Sequence, residues 1–128
     1  MLNRSGVTTT KYGAPTQILA NIEIQSSVGC IVPQTLGVDV GTRKIVKAGT
    51  PINIDLMSLN AVVKKVETAV PMNAVLLHDV DVTAGNANGT ALYLGVVNVN
   101  RLESDVQTAI TAAASIEGKS PLVVLVRA

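Results

Sequence analysis

The sequence predicts an α+β fold: a small β-rich, barrel- or sandwich-like domain with one amphipathic helix, preceded by an extended N-terminal arm. Three observations carry this. Short apolar runs, several alternating with period two and broken by Gly, Asn or Pro, recur between residues 17 and 99. One stretch, residues 100–119, has helical periodicity instead. Residues 1–15 are polar and Thr-rich, with Gly6, Gly13 and Pro15 as breakers, and so cannot bury themselves alone. The chain divides into an arm, 1–15, and a single domain, 16–128, which is long enough for one hydrophobic core.

Taken in order, Ile18, Ala20, Ile22 and Ile24 alternate and predict a half-buried strand over residues 17–25. Val28 to Val32 form a second short strand stopped by Pro33. Gly41-Thr42 turns the chain between Val38-Asp39-Val40 and residues 44–48, a small hairpin. Lys44 and Lys47 flank Ile45 and Val46, as on an exposed or edge strand where lysine discourages unwanted pairing. Residues 52–59 are ambiguous in period. In residues 61–70, Val62, Val63, Val66 and Val70 have helical spacing, but the β-branched composition suits a strand equally. Residues 75–83 and 90–99 then form a long hairpin around a Gly/Asn loop.

The helix follows. Asn100 or Ser104 can cap it, and Leu102, Val106, Ala109, Ile110, Ala113 and Ile116 make one apolar stripe. Gly118-Lys119 is a stop signal. Residues 121–127, a continuous apolar run, predict a buried terminal strand. No internal repeat or second domain is visible.

Composition limits the function. The chain is 48% hydrophobic but only 2% aromatic, without Trp or Phe, so its core is made of Val, Ile, Leu and Ala. Charged residues are only 15%, below the usual quarter, too few to clothe a monomer. Apolar surface is therefore expected to be buried against a partner. A net charge of +1 with no basic, aromatic-lined stripe argues against nucleic-acid binding. The single Cys30 excludes an internal disulfide and, with one histidine, a zinc site. It reads as a buried, inert thiol suited to a reducing cytoplasm. No apolar run approaches the ~20 residues of a membrane span. The first residues lack the apolar segment of a signal peptide, so a soluble protein not exported by that route is expected.

Four constellations resemble chemistry. Asp79, Asp81 and Thr83 ahead of Gly85, Asn86, Asn88 and Gly89 suggest a calcium loop. Its register fails, because Ala84 stands where the turn needs glycine and Thr90 where a glutamate must close the shell. Gly37-Val-Asp39-Val-Gly41-Thr42 resembles a phosphate motif of the actin and sugar-kinase ATPases. That fold needs two large lobes and further motifs, and a turn explains the same residues. His78 beside Asp79 suggests an oriented base, but strand neighbours point to opposite faces. His78 reads instead as a strand-edge or subunit-contact residue. Asn98-Val-Asn100-Arg101 reads as capping, with Arg101 pairing to Glu103, Asp105 or a carboxylate of another chain. No catalytic constellation, metal site or cofactor site is predicted.

Residues 47–52, KAGTPI, and residues 74–102, AVLLHDVDVTAGNANGTALYLGVVNVNRL, resemble the head decoration proteins of tailed double-stranded DNA phages. There a "KAGTP" strand end, an "LLHDVDVT-GN-NGT" strand and loop, and a "G-VN-NRL" strand follow in the same order. The resemblance covers residues 41–102, about half the chain, and departs at Asn73-Ala74-Val75, where many relatives have glycine. It implies the lambda-type decoration family: a small mixed α/β fold, a homotrimer with an apolar interface, and an arm that pairs with a strand of the major capsid protein.

The function expected is therefore a non-enzymatic virion protein, made in the host cytoplasm, that caps local three-fold positions on the outer capsid surface and stabilises the shell. It binds neither nucleic acid nor membrane. Val7, Thr8, Thr9, Thr10, Lys11 and Tyr12 are the expected capsid contacts, since Thr favours extended backbone and strand addition satisfies it. His78 and Arg101 are the expected subunit contacts. The alternatives are a tail or head-tail connector subunit forming rings, or a small hydrolase or metal-binding module.

Overall fold

A computed structural model of the chain describes residues 17–21, 23–119 and 122–127. Among them the strands are β1 (Gln25–Val32), β2 (Val38–Val40), β3 (Arg43–Val46), β4 (Pro51–Asn53), β5 (Lys64–Lys65), β6 (Ala74–Leu76), β7 (Val80–Asp81), β8 (Ala87–Asn98) and β9 (Val123–Val126). The helix α1 spans Ser104–Ala114, and 3₁₀ turns occupy Gln34–Leu36 and Val99–Arg101.

β8 organises the larger sheet. On one edge it is antiparallel to β1, from Gln25 opposite Gly95 to Val32 opposite Ala87. On its other edge β6 is antiparallel to it at Val75–Leu92 and Leu76–Ala91, while β9 runs parallel to it beside Gly95 to Asn98. β4 pairs with β6, and β5 with β4. The circle then closes. Ile31 N–H donates to Ala61 O at 2.9 Å, and Val63 N–H donates to Ile31 O at 3.0 Å. The chain just before β5 is thus held to β1, and the pairings β1–β8–β6–β4–β5–β1 form a small barrel with few free edges. A β-bulge adds twist: Ser26 faces Leu94 and Ser27 faces Leu92, leaving Tyr93 as the extra residue, its hydroxyl hydrogen-bonded to Ser26.

The antiparallel sheet β2–β3–β7 packs against this barrel. Val46, Val80 and Val82 join Val32, Ile52 and Leu76 in one core cluster. A second cluster lies outside the barrel wall, where Val75, Leu92 and Val97 meet Val106, Ile110 and Ala113 of α1. Alternation assigns each wall residue to one side: Ala74, Leu76 and Ala91 to the first cluster, Val75 and Leu92 to the second. This is why Ala74-Val75-Leu76 reads as an unbroken apolar run; both of its faces are covered.

Several sequence expectations change. Regular pairing begins at Gln25, not at residue 17; Leu19 makes a single bridge to Val97, and Ile24 is 55% exposed. Around that bridge Asn98 N–H donates to Ile18 O and Ala20 N–H to Val96 O, while local side-chain bonds, Leu19 N–H to Gln17 Oε1 and Glu23 N–H to Asn21 Oδ1, hold the rest of the segment; Ile22 of the expected strand lies outside the described residues. The long hairpin is interrupted, because after Leu77, whose N–H still donates to Thr90 O at 2.9 Å, the chain leaves β8 and β7 pairs with β3. β3 is consequently the central strand of its sheet, not an edge, and Lys44 is half-buried. The β2–β3 hairpin itself is present, with its turn at Gly41-Thr42. Residues 61–70 form no helix: Val62 bridges Ile31, Lys64–Lys65 pair with β4, and Glu67 and Val70 bridge each other around a turn at residues 68–69, as β-branched side chains favour.

The helix is shorter than the expected 100–119 and buries Val106, Ile110 and Ala113 of the expected stripe, while Ala109 is exposed and Leu102 and Ile116 lie beyond its ends. Glu103 occupies its N-cap without a side-chain bond, while the Asn98 side chain caps the preceding 3₁₀ turn. β9 lies at the end of the sheet and is only partly buried, with Leu122 and Val124 about half exposed. The expected arm at residues 1–15 lies outside the described residues.

The KAGTP turn depends on glycine. Gly49 has φ +88°, and a Cβ there would come within 2.4 Å of Leu102 Cδ2. Gly49→Ala is expected to destabilise by at least ~1 kcal/mol through backbone strain. Leu92→Ala, at a fully buried position, is expected to cost about 2–5 kcal/mol. Urea denaturation at fixed protein concentration measures both; an unchanged midpoint for Leu92→Ala would contradict the position of the outer core.

Candidate interaction surface

The residues that resembled chemistry act as local ties. Asp79 Oδ1 accepts the Ala48 N–H at 2.7 Å, fastening the KAGTP turn to the β6–β7 connection. Asp81 Oδ1 accepts the Thr83 N–H at 2.9 Å, and its other oxygen pairs with Arg43 across β7 and β3. The hydroxyl and N–H of Thr83, then the Arg43 guanidinium, hold the Asp81 carboxyl down at about 2. Asn86 Oδ1 accepts the Gln34 N–H at 3.0 Å and tethers the Gly/Asn loop. Among the described residues no three His, Cys, Asp or Glu side chains converge as a metal site would require. His78 is exposed.

Arg101 takes a different partner from those expected. Its Nη1 donates to Leu19 O at 3.0 Å and Gln17 O at 3.4 Å, pinning the segment that precedes β1. Glu103 and Asp105 instead hold Lys47, each at 3.1 Å, joining the start of α1 to the end of β3. The hydrogen bond to Glu103 raises the Lys47 pKa, burial opposes it, and Asp105 adds to the rise. Burial pushes Asp105 upward, but the Lys47 ammonium outweighs it and the carboxyl is held low. Cys30 is buried as expected, and burial raises its thiol pKa despite a hydrogen bond with the Gly89 backbone.

The exposed apolar residues point to assembly. The loop after β4 carries Met57 and Leu59, 94% and 93% exposed, beside the partly exposed Leu56. These side chains stand on a hydrogen-bonded turn. Asp55 Oδ1 accepts Met57 N–H at 3.0 Å, its Oδ2 accepts the Ser58 hydroxyl at 2.8 Å, and its carbonyl accepts Ser58 N–H at 3.1 Å. Those bonds, the Ser58 hydroxyl foremost, also lower the Asp55 pKa. Elsewhere, an open cleft of about 570 Å³ runs between α1 and the β2–β3 hairpin. Leu36, Val38, Val66, Ala109 and Ile116 line it, with Lys47 and Lys65 also on its walls.

Sequence reasoning missed this loop. Its only signal was that residues 52–59 are ambiguous in period while still containing Leu56, Met57 and Leu59. The expected capsid contacts Val7, Thr8, Thr9, Thr10, Lys11 and Tyr12 lie outside the described residues. No helix of the described residues is long and apolar enough to cross a membrane. Comparison with family models, curated proteins and solved structures finds no match to the chain.

Two measurements test these assignments. A carboxyl whose pKa is depressed on folding stabilises above its unfolded value, and that stability is lost as pH falls through the folded value. For Asp81 the window is from about pH 4, the ordinary carboxylate value, down to about 2. Asp81→Asn is expected to flatten the pH dependence of the urea midpoint within that window; an unaltered slope would show that the tie to Thr83 and Arg43 is not formed. Cys30 is expected to resist a thiol reagent such as dithionitrobenzoate in the native protein and to react fully in denaturant. Rapid native labelling would contradict its burial.

Proposed function

We propose that this chain is a structural decoration subunit of a tailed-phage head, a homotrimer that binds the major capsid protein on the outer surface of the shell and stabilises it. The observation that carries the proposal is an ordered turn presenting Met57 and Leu59 almost wholly to solvent, on a chain with few charges. Such side chains on a fixed backbone suit assembly better than solitary life. The resemblance of residues 47–52 and 74–102 to decoration proteins supplies the kind of assembly.

Within this proposal Val7, Thr8, Thr9, Thr10, Lys11 and Tyr12 add a strand to the capsid protein. His78 and Arg101, both exposed, contribute subunit contacts. The work is mechanical and needs no cofactor, nucleic acid or membrane. Each trimer bridges neighbouring capsomers of the expanded shell. Modest apolar burial, roughly 25 cal/mol per Å², then sums over the lattice. A ring-forming tail or head-tail connector subunit would share the low charge and the exposed loop, and differs in copy number.

Native mass measurement is expected to give three copies; six would favour the connector. Deleting residues 1–15 is expected to leave the trimer folded and abolish co-sedimentation with expanded shells. Full binding by the deleted protein would sink the arm's role.

A further inference from the structure

We infer that the loop at residues 55–60 of one copy seats in the cleft between α1 and the β2–β3 hairpin of a second copy, head to tail. The inference rests on the trimeric reading above and assigns its apolar contact. Both halves of the contact belong to one structural unit, the antiparallel pair β4–β5. Pro51, Lys65 and Val66, at the open end of that pair, line the cleft, while the loop closes the other end. About three strand residues lie between them, roughly 10 Å at 3.3 Å per residue. Loop and cleft therefore lie at opposite ends of that pair.

The two surfaces match chemically. Residues 56–60 carry no charge, and the cleft presents Leu36, Val38, Ala109 and Ile116, its Lys47 and Asp105 being paired with each other. The charge at the base of the loop is Asp55, whose carboxylate accepts from the Ser58 hydroxyl and the Met57 N–H, and Lys65 stands on the cleft wall to meet it. The small side chains of Ala109 and Ala113 leave room for longer ones such as Met57 and Leu59. Because the turn is already hydrogen-bonded, little order remains to be imposed on docking.

Loop and cleft are different surfaces, so the contact is heterologous. A pair of copies leaves one loop and one cleft unfilled, and only a closed ring fills all of them. Three copies meet that condition where the rotation between neighbours is one third of a turn.

Two variants test this. Met57→Glu/Leu59→Glu alters the loop, and Ala109→Arg alters an exposed residue of the cleft. Each is expected to give monomers by native mass measurement, at least tenfold depleted in the wild-type oligomer, with an unchanged circular dichroism spectrum. Mixed one to one, the cleft variant's intact loop fits the loop variant's intact cleft. The mixture should therefore give two-copy complexes and no ring, and this partial rescue also shows that both variants are folded. Variants that keep the wild-type mass, or a mixture with no rescue, overturn the inference. A fall in mass for Ala109→Arg alone, reproduced by deleting residues 1–15, would identify the arm as the occupant and also overturn it. If the wild type is itself monomeric, the trimeric reading fails with it; a trimeric wild type whose variants stay trimeric removes only this contact.

Discussion

The fold depends on a twelve-residue strand whose two edges are both occupied. β8 carries β1 on one side and β6 and β9 in tandem on the other, so it fixes the positions of all three. The barrel closes only if the free side of β1 returns to the chain that follows β4, as it does at Ile31. A core without Trp or Phe makes that closure tight, since no large ring holds the walls apart. Gly89 records how close the packed layers come: a Cβ there would lie 3.1 Å from Val80 Cγ2 of the second sheet. The bulge at Tyr93 supplies the curvature, and its hydroxyl reaches Ser26 on the neighbouring strand.

The few charges are placed at seams between elements. Lys47 joins β3 to α1 through Glu103 and Asp105, Arg43 joins β3 to β7 through Asp81, and Arg101 joins the 3₁₀ turn to the segment before β1. Arg43, Asp81, Glu103 and Asp105 keep much of their side-chain surface in water, so such pairs contribute modestly to stability. Their effect is to set how the packed units meet. The same placement leaves Leu56, Met57 and Leu59 without a charged neighbour closer in sequence than Asp55. Scarcity of charge thus shapes the surface as well as the seams.

Local periodicity was legible where one element answers to one neighbour. The stripe from Val106 to Ala113 needs only one packed face, and Gly41-Thr42 needs only a turn. Residues 75–83 were misread because their alternation continues while the partner changes, with β6 pairing to β8 and β7 to β3. Asp79 marks that switch through its bond to Ala48, a contact across 31 positions that no spacing rule reveals. The pairing of Arg101 with Glu103 or Asp105 was misread for the same reason: its partners within the chain are backbone carbonyls 82 and 84 positions away, while those carboxylates are held by Lys47. The loop at residues 55–60 was invisible in a different way, because exposure of an apolar side chain has no local signature.

The junction between the expected arm and the domain has a mechanical consequence. Asn98 N–H donates to Ile18 O and Ala20 N–H to Val96 O, both at 2.8 Å, and Arg101 grips Leu19 O beside them. Ile18 and Leu19 are buried in the outer core under α1. A pull on the preceding residues would therefore load several hydrogen bonds and two buried side chains together, and would pass directly into β8. From β8 it spreads through β1, β6 and β9 to the whole barrel. Any load applied through the preceding residues would thus be borne by the strand that every other wall strand depends on. The buried Ile18-Leu19 pair, with hydrogen bonds on both sides of it, provides the anchor.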